Sequence, residues 1–114
     1  MQIKNTMDEI IDFLPPKIKW LIRKCTSNKI HQAEEIRLRL GKPLIISGSD
    51  WDFFIDDMGY LTKEIKNAYI TTKDDIRKAS EIIQGFSVYS FGEELKNGYI
   101  TIPGGHRIGI SGRA

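Results

Sequence analysis

Cysteine is almost missing from this chain. Its 114 residues include one, Cys25, so no internal disulfide can form and a reducing compartment is expected. Long apolar runs are missing too. None approaches the roughly 18 residues of a membrane-spanning helix, and the opening MQIKNTMDEI lacks the apolar core of a secretory signal. Cytoplasmic residence is therefore expected. Charge of one sign is not in excess: seventeen Lys and Arg against fifteen Asp and Glu leave a net +2, too little to argue by itself for nucleic acid. Histidine is scarce, with only His31 and His106, and no C-x-x-C or H-x-x-x-H spacing suggests a metal site. No G-x-x-x-x-G-K-S/T run occurs, so the chain has no phosphate-cradling P-loop of its own.

What is present describes one folded domain. A chain with 40% hydrophobic and 28% charged residues is too apolar for disorder at this net charge and long enough for one modest core. Charge is distributed unevenly. Five basic residues and no acidic one lie between Lys17 and Lys29, and four aspartates without a base lie between Asp50 and Asp57. After Glu94 only Lys96, Arg107 and Arg113 are fully charged, so the glycine-rich end is locally cationic.

Periodicity organises the chain as two helices, four strands, two helices and two strands. Thr6 and Glu9 fit a capping box, followed by a short helix with Ile10, Ile11, Phe13 and Leu14 on its apolar face. Pro15-Pro16 ends it and Pro16 opens the next. There Ile18, Leu21, Ile22 and Cys25 share one face, opposite Lys17, Lys19, Arg23 and Lys24. Strict alternation from Glu35 to Leu40 predicts a half-buried strand, with Leu44 to Ser47 as its hairpin partner. Phe53 to Ile55 and the residues about Tyr60-Leu61 add two short strands. Thr71-Thr72 ahead of Asp74-Asp75 predict another capped helix, with Ile76, Ala79, Ile82 and Ile83 inward and an end at Gly85. A further helical piece is expected over Val88 to Leu95. A C-terminal hairpin pairs Tyr99–Ile102 with Arg107–Ile110 around Pro103-Gly104-Gly105-His106. The fold class is α+β: a small antiparallel sheet with packed helices and a C-terminal β-hairpin.

No catalytic constellation stands out. Cys25 on an apolar helix face reads as a structural thiol, and the aspartates of 50–57 read as solvated turns, since they lack the run and closing glutamate of a calcium loop. The most functional-looking stretch runs from Gly104 to Arg113. Its glycines permit close backbone approach, and Arg107 and Arg113 suit bidentate pairing with phosphate or carboxylate. The same residues also fit a plain glycine-rich hairpin with solvated arginines. Arg37 and Arg39 share one strand face and read as cover for its solvent side.

Three stretches add a resemblance: EIRLRLGKPLII from Glu35 to Ile46, ITTKDDIRKASEIIQGFSVYSF from Ile70 to Phe91, and EELKNGYITIPGGHRIGISGRA from Glu93 to Ala114. In this order and spacing they resemble the N-terminal region of the stage III sporulation protein AA family, over about residues 30–114. The resemblance implies a mother-cell ATPase of endospore-forming bacteria, similar to the motor ATPases of type II and type IV secretion and pilus systems. Such motors place a PAS-like N-terminal domain before a RecA-like domain with the P-loop. The chain is accordingly expected to be a single N-terminal domain, with a helical start at 6–29 and an α+β body at 30–114, cut before the RecA-like domain. The implied parent uses ATP and Mg2+, with no cofactor in this chain. It forms a homo-hexamer and works in the mother-cell cytoplasm against membrane channel proteins of the sporulation complex, with no specific nucleic acid. By the same resemblance Arg107 and Arg113 reach nucleotide phosphates in the assembled parent, on a hairpin shaped by Gly104, Gly105 and His106. His106 departs from the motors' usual pattern. The competing reading is a free-standing phosphate or nucleic-acid binding module that uses Lys17 to Lys29 and the hairpin.

Overall fold

Alternation from Glu35 to Arg39 gives one strand face made of Ile36 and Leu38 and another made of Glu35, Arg37 and Arg39. A computed structural model, which describes residues 10–85, 94, 96–102 and 106–112, has a strand there, β1 (Glu35–Arg39), with the two apolar side chains fully buried. β2 (Ile45–Ser47), β3 (Asp52–Ile55) and β4 (Leu61–Thr62) follow as an antiparallel meander. β5 (Tyr99–Ile102) and β6 (His106–Ser111) form the C-terminal hairpin. All six strands belong to one sheet, in the order β4-β3-β2-β1-β6-β5.

The α+β class with a C-terminal hairpin is what the structure shows. The sheet itself corrects the expectation in one respect. Four of its five pairings are antiparallel, but β1 and β6 run parallel, Ile36 against Ile108 and Leu38 against Ile110. The sheet is mixed. β2 occupies one edge of β1, so the hairpin can join only at the other, and the long return through the second helix permits a parallel approach. Backbone hydrogen bonds close both ends of the joint: Arg107 N–H donates to Glu34 O at 2.9 Å, and Leu40 N–H donates to Ser111 O at 3.0 Å. Just beyond, Gly112 takes φ +99°, and a Cβ there would lie 2.3 Å from that of Leu40. Only glycine suits that exit.

Both helices cover one face of the sheet. α1 (Pro16–Lys24) starts with Pro16 in its first turn and buries Ile18, Leu21 and Ile22. α2 (Lys73–Gln84) buries Ala79 and Ile83, and Gly85 ends it. These residues join Ile36, Leu38, Ile46, Ile55, Ile100 and Ile108 in one core. Ahead of α1, Ile10 is α-helical and a 3-10 turn follows at Ile11–Phe13, before Pro15; the start of the expected helix lies outside the described residues. Ile10, Phe13 and Leu14 are buried. A 3-10 turn at Asn28–Gln32, begun by the Ser27 hydroxyl accepting from Lys29 N–H, was not expected. The Thr6–Glu9 cap and most of the Val88–Leu95 piece lie outside the described residues.

The capping box of α2 is present and reaches further than a cap. Thr72 Oγ1 accepts from Asp75 N–H, and Asp75 Oδ2 accepts from Thr72 N–H, each at 3.0 Å. The buried Asp75 carboxylate also accepts from the Tyr69 hydroxyl. Burial, followed by the Asp75 carboxylate, pushes the Tyr69 phenol well above the usual range. The folded state thus keeps a proton that the unfolded phenol releases above about pH 10, so this contribution is full below that pH and is lost as pH rises further. Tyr69→Phe should lower stability by about 1.5–3 kcal/mol at pH 8, the range for a hydrogen bond to a charged group. Urea unfolding at pH 8 and pH 11 should show the gap between the two proteins narrowing at the higher pH.

Candidate functional site

The covered and open faces of the sheet differ in chemistry. Parallel registration opposes Glu35 to Arg107, Arg37 to Gly109 and Arg39 to Ser111. All six alternate with the buried residues and therefore point to the open face, which no helix covers among the described residues. Tyr99 of β5 stands opposite Gly109. Glu35, Arg37, Arg39, Arg107, Tyr99 and Gly109 line a depression of about 240 Å³. Three guanidinium groups surround it and one carboxylate offsets them.

Each charge has a different setting. Arg37 Nε pairs with Glu35 Oε1 at 3.1 Å, with the carboxylate only 20% exposed. Arg107 is exposed. Arg39 is half-buried, and its Nε is out of water without a hydrogen-bond partner among the described residues. A buried, unpaired donor costs about 1–3 kcal/mol. Gly109 leaves the floor open: a Cβ there would meet Arg37 Cγ at 3.6 Å and Gly98 O at 3.9 Å, which are ordinary contacts.

Of the residues singled out in the sequence, Arg107 lies at this site and His106 begins β6, half-buried and opposite Ile102. Gly104, Gly105 and Arg113 lie outside the described residues. The sequence reading missed Arg37 and Arg39 as partners of Arg107. The alternation of β1 put both on one face, but only the parallel joint brings that face beside β6. The basic run of α1 is elsewhere. Lys17 and Lys24 lie over the Trp20 ring at 4.6 and 5.3 Å, on a helix that packs against the opposite sheet face from Arg107.

The remaining candidates are structural. Asp56 Oδ1 accepts from Met58 N–H and Tyr60 N–H at 2.9 Å each, which is a turn. Cys25 is half-buried against the core, and burial pushes its thiol up, away from the reactive thiolate. No described helix is long and apolar enough to cross a membrane.

A family profile described as "Sporulation stage III, protein AA" matches residues 4–114. The chain belongs to the stage III sporulation protein AA family. Stage III sporulation protein AA of Bacillus subtilis (strain 168) is 29% identical over 107 residues, which cover 94% of this chain and 31% of that protein. The chain thus spans about a third of its curated relative's length. No solved structure matches it. Within this family assignment the arginine face of the sheet is the feature with most chemistry, and Gly109 is its simplest probe. Gly109→Ala should fold normally, since its Cβ meets only ordinary contacts and alanine removes the entropic cost of a strand glycine. Thermal melting should place it within about 1 kcal/mol of the parent or above it.

Proposed function

We propose that this chain is the PAS-like N-terminal domain of a sporulation ATPase related to the type II and type IV secretion motors, which powers a channel between mother cell and forespore. The observation that carries the reading is Arg107, exposed on a strand held between β1 and β5. A guanidinium on such a support is preorganised toward negative charge and costs little to reorient. In the assembled parent, Arg107 together with Arg113 would meet the phosphates of ATP bound with Mg2+ by a RecA-like domain. A homo-hexamer would let each domain serve its own or a neighbouring nucleotide. Family membership supports the sporulation role, and the motor chemistry is what this reading adds.

The chain lacks a P-loop and its lysine, so the isolated chain should show no ATP turnover in a phosphate-release assay. In the full-length protein, Arg107→Ala should lower ATPase turnover by roughly 10³-fold or more if the arginine acts on the transferring phosphoryl group. The same change should shift the stability of the 114-residue chain by about 1 kcal/mol or less, as expected for an exposed charge. Full turnover in the variant would remove Arg107 from the mechanism. A large loss of stability would make it a structural residue.

A further inference from the structure

The arginine-lined depression is more elaborate than one exposed guanidinium requires. We propose that the open face of the sheet binds a phosphate group in this chain itself, between Arg37, Arg39 and Arg107 and over Gly109. This goes beyond the motor reading: it shares Arg107 with it, and needs neither a RecA-like domain nor ATP hydrolysis.

Charge selects the ligand. Glu35 already neutralises Arg37 at 3.1 Å, and the three guanidinium groups leave a surplus of two positive charges. A carboxylate carries one negative charge, whereas a phosphate monoester carries nearly two at neutral pH. Hydrogen bonding points the same way. Arg39 Nε is buried without an acceptor among the described residues, while guanidinium donors are fixed in a fork that matches the oxygens of phosphate. Arg39 enters from β1 and Arg107 from β6, at opposite ends of the parallel joint, and both line the depression.

Shape is compatible. A depression of about 240 Å³ has room for roughly eight waters at ~30 Å³ each, enough for a phosphate group and a substituent. Gly109 supplies no side chain to fill it, and Tyr99 forms the outer wall from β5. A hydroxyl there can donate to a bound oxygen. Because the depression opens to solvent, where charge attraction is screened, the affinity should be modest, about millimolar.

The test is an NMR titration of the ¹⁵N-labelled chain with orthophosphate at pH 7.5, with ionic strength held constant by sodium chloride. The Arg39 Nε–H signal and the Gly109 and Arg107 amides should move together on one saturating curve, while the amides of Lys17 and Lys24 stay in place. Arg39→Gln should weaken binding roughly tenfold. Gly109→Ala, whose contacts permit normal folding, should weaken it several-fold by raising the floor. A parallel titration with ribose 5-phosphate separates the sources. Binding at least as tight as that of orthophosphate indicates a phosphate ester, and weaker binding indicates the free ion. An unmoved Arg39 signal, an equal response to sodium acetate, or unchanged binding in Gly109→Ala would overturn the proposal. None of these outcomes bears on whether Arg107→Ala slows the full-length ATPase, so each idea can fail without the other.

Discussion

The parallel pairing of β1 with β6 is the constraint on which the rest of the domain depends. It joins the N-terminal meander to the C-terminal hairpin, segments separated in the chain by α2. Ile36 and Leu38 meet Ile108 and Ile110 across it, with all four side chains at the centre of the core. A slip of one residue would turn these side chains to the open face and bring the arginines inside. Burying unpaired guanidinium groups is so costly that the register is effectively fixed.

The same register gives the two faces their chemistry. One face is sealed by α1, α2 and the Ile11–Phe13 turn, which bury their apolar residues against it. The other carries Arg37 and Arg39 from β1, Arg107 from β6 and Tyr99 from β5, with Gly109 at the centre. Parallel strand pairs are usually covered on both faces. Here the second face is open among the described residues and strongly polar, which is how a single parallel joint within an otherwise antiparallel sheet can face water. A surface of this kind has charge to offer an anion. Of the exposed large apolar residues, Met58, Tyr60 and Ile65 belong to the β3–β4 end of the fold, while Tyr99 stands on the open face itself.

Much of this was legible from local pattern. Period-two alternation placed β1, the proline pair placed the start of α1, and the Thr72–Asp75 spacing placed the cap of α2. Each signal acts within a few residues, so no distant contact is needed to read it. The hairpin was legible for the same reason. What could not be read was the partner of β1 on its second edge, because both orientations satisfy the same apolar alternation. That one ambiguity hid the candidate site: Arg37 and Arg39 looked like solvent cover until β6 was set beside them. Arg107 was singled out from the sequence, yet for want of its neighbours the sequence suggested a hairpin acting alone.

Hydrogen exchange at the β1–β6 joint tests the account most directly. The Arg107 and Leu40 amides, which donate to Glu34 O and Ser111 O across it, should exchange slowly and with the same opening free energy as the β1–β2 amides, because the joint and the core open together. Fast exchange at Arg107 and Leu40 beside a protected β1–β2 pair would contradict it. The hairpin would then be a separate, loosely held unit, and the arginine face would have no fixed geometry.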